Sequence, residues 1–155
     1  RIWTASAANC MQRGVLLDTG PLVAYFCPTD RFHAWAVSQF ASFIAPVTTC
    51  EPVLAESCFL LARAGVSPTR VLNKLAQGVF RIGVGIERDA AAIAALMQRY
   101  ADLPMTLADA CMVRLAETQP GPLCTLDRDF HVYRRQGRHP LDLIMPDDLT
   151  LPPSS

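Results

Sequence analysis

The chain has 155 residues, 51% hydrophobic and 18% charged, which predicts one globular domain with a substantial core and leaves no room for a second. Its 14 basic and 14 acidic residues cancel, so no bulk field points to a nucleic-acid or membrane partner, and any polyanion site must be local. Six cysteines, at positions 10, 27, 50, 58, 111 and 124, include no C-x-x-C pair and read as free thiols of a reducing cytoplasm, not as zinc ligands or disulfides.

No apolar run approaches the ~20 residues of a membrane helix, and no charged-then-apolar signal opens the chain. Residues 1–10 lack periodicity and precede Met11, so they are expected to be a leader or remnant ahead of a single domain at 11–146. Residues 147–155, rich in Pro and Ser, are expected to form a loose tail.

Val15, Leu16 and Leu17, apolar without alternation, predict a strand buried on both faces, as in a parallel sheet, with Gly20-Pro21 stopping it. That puts Asp18 at the carboxyl end of a central strand, the edge where open α/β sheets bind ligands. Pro21 to Phe26 predicts a short helix, and Asp30 is placed to cap a second one carrying Phe32, Trp35, Ala36 and Phe40. His33 lies on that helix without a partner motif and reads as an ordinary packed or surface side chain. Phe43-Ile44-Ala45-Pro46 reads as the second strand. Thr48-Thr49-Cys50-Glu51 has the capping-box form for a helix from about Thr49 to Ala64, closed by Gly65. Glu51 then has a structural task at N3. Glu56 has none: it stands mid-helix among Val53, Leu54, Cys58, Leu60 and Leu61, at the rim of an apolar face or buried for a purpose.

Ser67 and Pro68 predict the N-cap and N1 of a helix running to Gly78, and the nearby Arg63, Arg70, Lys74 and Arg81 read as a solvated face. Val79 to Val84 is a third strand, and Glu87 to Tyr100 a helix with Ile93, Leu96 and Met97 inward. Thr106 then caps a helix through Ala116 with Asp109 at N3. An acid there either complements the helix dipole or reaches across to a neighbouring strand end. Leu123-Cys124-Thr125-Leu126-Asp127 repeats the opening pattern, a short apolar strand ended by an acid; in one parallel sheet Asp18 and Asp127 project from the same edge. A basic run from Tyr133 to Arg138 and a last strand, Leu141 to Ile144, complete the domain. This alternation predicts an α/β fold with about five mostly parallel strands and helices on both faces.

Carboxylates gathered at one edge repel one another unless a cation neutralises them, and an all-oxygen site suits Mg²⁺ or Mn²⁺. Such a site activates water and clamps the oxygens of a phosphodiester. No glycine-rich phosphate loop follows the first strand, and no G-x-S-x-G element appears, which disfavours nucleotide-binding and serine-hydrolase readings.

The run Leu16-Leu17-Asp18-Thr19, the helix Pro52-Val53-Leu54-Ala55-Glu56, and the segments Leu103 to Ala110 and Thr125 to Phe130 resemble, in order, the four acidic motifs of PIN domains. The similarity spans Val15 to Ile144. It implies a PIN-like three-layer α/β/α sandwich. In that fold Mg²⁺ or Mn²⁺ is held by acids matching Asp18, Asp109 and Asp127, with Glu56 binding directly or through water. It further implies endonucleolytic cleavage of RNA. The compact form is similar to the toxins of VapBC-type toxin-antitoxin pairs, which dimerise and are silenced by a cognate antitoxin. Thr125 is placed to orient a water or a metal ligand, and Asp129 to support the acids or face solvent, as Asp102 is expected to. RNA recognition would fall to local arginines such as Arg128, Arg134, Arg135 and Arg138. The competing readings are a PIN-like nuclease for housekeeping RNA processing and a non-catalytic module whose acids accept a partner's arginine.

Overall fold

The computed structural model describes residues 11–119 and 121–150; the expected leader at 1–10 and the final residues 151–155 of the expected tail lie outside the described residues. In chain order the first half contains β1 (Leu16–Leu17), α1 (Thr19–Phe26), α2 (His33–Ser42), β2 (Val47–Thr49), α3 (Glu51–Arg63) and α4 (Thr69–Ala76). The second half contains β3 (Phe80–Ile82), α5 (Ile86–Arg99), α6 (Leu107–Thr118), β4 (Leu123–Cys124), the hairpin strands β5 (Arg134–Arg135) and β6 (His139–Pro140), and β7 (Leu143–Ile144).

Five strands form one parallel sheet in the order β3-β2-β1-β4-β7, with Leu16 opposite both Thr48 and Leu123. The centre of a parallel sheet is covered on both faces, which is why β1 reads as an unbroken apolar run: Val15, Leu16 and Leu17 are all buried. Chain order runs outward from β1 through β2 to β3, then returns across the sheet to β4 on the other side of β1. The right-handed crossover rule sends the helices of those two limbs to opposite faces. In keeping with it, α1 packs on α2 and α3 while α5 packs on α6. The reversal between β1 and β4 is a topological switch point, and the crevice beyond their carboxyl ends is where such sheets bind ligands. Among the described residues no helix is long and apolar enough to cross a membrane. The five described cysteines are free thiols, four of them buried.

Several elements depart from expectation for identifiable reasons. Phe43–Pro46 is not the second strand. Phe43 makes an isolated bridge to Gln12, Pro46 has no N–H to give a ladder, and β2 lies at Val47–Thr49. The capping box from Thr48 to Glu51 is absent because both threonine hydroxyls serve the sheet: Thr49 Oγ1 donates to the Leu17 carbonyl at 2.7 Å, and Thr48 Oγ1 accepts from Arg81 at 3.2 Å. Helix α3 starts at Glu51 behind an N-cap, Cys50, whose thiol makes no cap hydrogen bond and donates instead to Met112 Sδ at 3.8 Å; Glu51 is exposed at the first helical position. Asp30 does not cap α2 but closes a local turn, accepting from Phe32 N at 2.8 Å. Pro68, one residue later than expected, is the N-cap of α4, and Met97 is exposed rather than inward. The basic run folds as the β5–β6 hairpin. Its turn needs positive φ at two successive residues, met by Gln136 (50°) and Gly137 (71°). Residues 147–149, expected to be loose, form a 3₁₀ turn against the body of the domain.

Candidate active site

Asp18 stands at the N-cap of α1, yet its carboxylate makes no cap hydrogen bond. It turns instead toward β4, where Thr125 Oγ1 donates to its Oδ2 at 2.7 Å. The same Thr125 oxygen accepts from Asp127 N at 3.0 Å, so one fully buried hydroxyl ties the acids at the ends of two adjacent strands. Asp127 caps the next 3₁₀ turn, Arg128–His131, accepting from Asp129 N at 2.8 Å. Gly20, in the first turn of α1, lies against Leu126: an added Cβ would sit 3.0 Å from Leu126 Cβ, so a larger residue there would have to push the Leu126 side chain aside by a few tenths of an ångström.

The other two acids arrive on helices. Asp109 sits at N3 of α6 in a full capping box. Thr106 N donates to its Oδ2 at 2.9 Å, and Asp109 N donates to Thr106 Oγ1 at 3.1 Å. Glu56, exposed on α3, accepts from Thr19 Oγ1 at 3.0 Å, which links it to the residue after Asp18. Asp18, Glu56, Asp109, Asp127 and Asp129 all line one open cleft of about 820 Å³ outside the carboxyl ends of β1 and β4. Asp102 is exposed and does not line it.

The electrostatics follow from this gathering. Burial pushes the Asp18 carboxyl up from its ordinary value to about 7; the Thr125 hydrogen bond pulls it back only in part, and the charges of Asp109 and Asp127 push it further. Asp109 is raised by burial, partly offset by Thr106, and then by Asp127 and Glu56. Asp129 is raised by burial and by Asp127. Among the described residues no three such side chains are drawn together into a ready metal cage. Each of the four is hydrogen-bonded to a neighbouring protein donor and holds its own wall of the cleft. The donor set is nonetheless all oxygen and short of positive charge, the combination that suits Mg²⁺ or Mn²⁺.

Sequence reasoning missed three contributors. Thr19 positions Glu56 and was visible only as the residue after the first acid. Tyr133 is fully buried, and among the described residues its hydroxyl has no hydrogen-bond partner. Burial, then the charges of Asp109, Asp129 and Asp127, hold that phenol above the usual tyrosine range. Asp148 reaches the cleft from the C-terminal 3₁₀ turn, far from every acidic motif. His33 is accounted for structurally: its Nδ1 donates to the Ala24 carbonyl at 2.8 Å.

The sequence model of the family described as PIN domain matches residues 15–136. Over 118 residues the chain is 33% identical to Ribonuclease VapC26 of Mycobacterium tuberculosis, which covers 74% of this chain and 87% of that protein. The match contains the switch point between β1 and β4 and all four acids, and the chain belongs to the PIN domain family as a VapC-type member.

Proposed function

We propose that the chain is a Mg²⁺- or Mn²⁺-dependent endoribonuclease that hydrolyses RNA phosphodiester bonds, acting as the toxin of a toxin-antitoxin pair. The observation that carries this reading is the convergence of Asp18, Glu56, Asp109 and Asp127 on one cleft at the switch point of the sheet. The ribonuclease named among its relatives supports it. An RNA substrate, a cognate antitoxin, a homodimer and a cytoplasmic setting belong to the same reading.

Asp18, Asp109 and Asp127 would hold the ion, with Glu56 binding directly or through water. When bound, it supplies charge neutralisation, a Lewis acid for the phosphodiester oxygens and an acidified water. The chain's own groups do the rest. Thr125 fixes the Asp18 carboxylate and, through the Asp127 amide, the start of the turn that carries the fourth acid. Thr19 donates to Glu56 at the cleft, where this carboxylate would orient the attacking water and accept its proton. Asp129 lines the cleft with these acids, and the charges of Asp109, Asp129 and Asp127 act on the buried Tyr133 phenol.

The test is cleavage of a mixed pool of structured RNAs by purified protein with Mg²⁺, Mn²⁺ or EDTA, beside Asp109→Asn. Metal-dependent cutting that vanishes in the variant supports the nuclease. Absence of cutting under every condition, with the fold verified by circular dichroism, overturns it in favour of an acidic cleft that receives a partner's arginine.

A further inference from the structure

Of the four arginines that the sequence offers for RNA, only Arg128 lines the acidic cleft. Arg134 is folded back, its Nη1 donating to the carbonyls of His131, Val132 and Tyr133. Arg135 lines a separate small cavity with Glu117, Gln136 and His139, and Arg138 is exposed in the hairpin turn. The second cation of the cleft comes from an unexpected place. Arg31 follows Asp30, whose turn with Phe32 N fixes the loop, and its guanidinium lies 4.8 Å from the centroid of the Phe32 ring. Arg31 and Arg128 are the two cations among the described residues that line this cleft.

Both arginines are engaged by one residue. Arg31 Nη2 donates to Asp148 Oδ2 at 2.7 Å, and Arg128 Nη2 donates to the Asp148 carbonyl at 2.7 Å. His131 Nε2 donates to the Leu149 carbonyl at 3.0 Å, which pins the same 3₁₀ turn over the edge of the cleft. Two guanidiniums from different elements thus converge on one residue at the mouth of a site whose interior is negative, Arg31 on its carboxylate and Arg128 on its main-chain carbonyl. The Arg31–Asp148 pair is weak by nature, its side chains being 75% and 50% exposed, so an incoming anion of higher charge density exchanges with it readily.

We propose that Arg31 and Arg128 form a phosphate clamp at the mouth of the cleft, holding an RNA backbone phosphate beside the one that is cut, and that Asp148 is the built-in counter-ion this phosphate displaces. The proposal rests on the ribonuclease reading above. Without Arg31 and Arg128 the cleft has, among the described residues, no cationic side chain in its lining to meet a polyanion. With the clamp, each lost arginine removes one phosphate contact, whatever the base sequence.

The experiment is fluorescence anisotropy of a labelled single-stranded RNA with the full chain in EDTA, over a salt series, for wild type, Arg31→Gln, Arg128→Gln, Asp148→Asn and the Arg31→Gln/Asp148→Asn double variant. KM and kcat for cleavage with Mn²⁺ are measured alongside. Arg31→Gln and Arg128→Gln are each expected to weaken binding by about 3- to 10-fold for every sequence, with the salt slope shallower by about 0.7 and the change in KM rather than kcat. Asp148→Asn is expected to tighten binding by about 3-fold, a gain that disappears in the double variant. A wild-type salt slope in both arginine variants, or a gain from Asp148→Asn that persists without Arg31, overturns the clamp. If wild type cuts RNA and these variants match it in KM, the clamp falls while the nuclease stands. If wild type neither binds nor cuts any RNA, both fall.

Discussion

Asp18→Asn separates the demands of the site from those of the fold. In the metal-free protein, holding Asp18 ionised costs up to about 4 kcal/mol, since its carboxyl titrates near 7 instead of 3.8. The sign follows from proton binding. Between about pH 4 and pH 7 the folded state keeps the Asp18 proton and the unfolded state has lost it, so wild-type stability falls as pH rises through that window and levels off above it. Asn keeps an oxygen for the Thr125 hydroxyl but adds an amide that must find an acceptor, a penalty of about 1–3 kcal/mol. The expected net result in EDTA is a gain of about 2 kcal/mol at pH 8, roughly 4–8 °C in Tm, shrinking to zero or a small loss at pH 5. Urea denaturation of both proteins at the two pH values measures it. A stability difference that does not change with pH would refute the idea that Asp18 is a strained, buried carboxylate. Mn²⁺ at pH 8 should stabilise wild type and leave Asp18→Asn unmoved.

Thr125→Val removes the donor to Asp18 and the acceptor for Asp127 N; it should cost about 1–3 kcal/mol by urea denaturation and abolish cleavage, with Thr125→Ser restoring both. Thr19→Val releases Glu56 at the cleft rim and should lower kcat while leaving the denaturation midpoint nearly unchanged. Thr106→Ala breaks an observed capping box and should cost about 1 kcal/mol, whereas Glu51→Ala, exposed and without a cap bond, should stay within about 0.5 kcal/mol; denaturation of the two side by side checks both. Asp89 is buried between Arg88 and Arg114, and these guanidiniums hold its carboxyl below the usual range. Asp89→Ala should lower the denaturation midpoint and leave kcat unaltered, because the pair staples α5 to α6 away from the cleft.

The parts of the site that were legible are those set by local chemistry. A doubly buried strand cannot alternate, so β1 and β4 announced themselves, and the acid ending each fell at the sheet edge by counting alone. Thr106 and Asp109 are three residues apart, close enough for their capping box to be written in sequence. The errors came where a distant partner overrode local preference. Thr48 and Thr49 look like caps, but hydroxyl partners from Arg81 and Leu17 let them stand inside a strand, and the apolar Phe43–Pro46 was left outside. The Gln136-Gly137 turn carried a readable signal in its glycine, hidden by the charge of its neighbours. Arg31 and Asp148 are 117 residues apart, and no spacing rule joins them.

The capping box of α6 has a genetic consequence. Asp109 starts a helix with the same side chain that it presents to the cleft, so most replacements would damage fold and site together. Asn is the exception, because its side-chain oxygen can still accept from the Thr106 amide while its negative charge is gone. Aspartate and asparagine codons differ by a single base. The chain therefore lies one nucleotide from a form that folds, keeps its surface for any partner, and has lost an acid from its cleft.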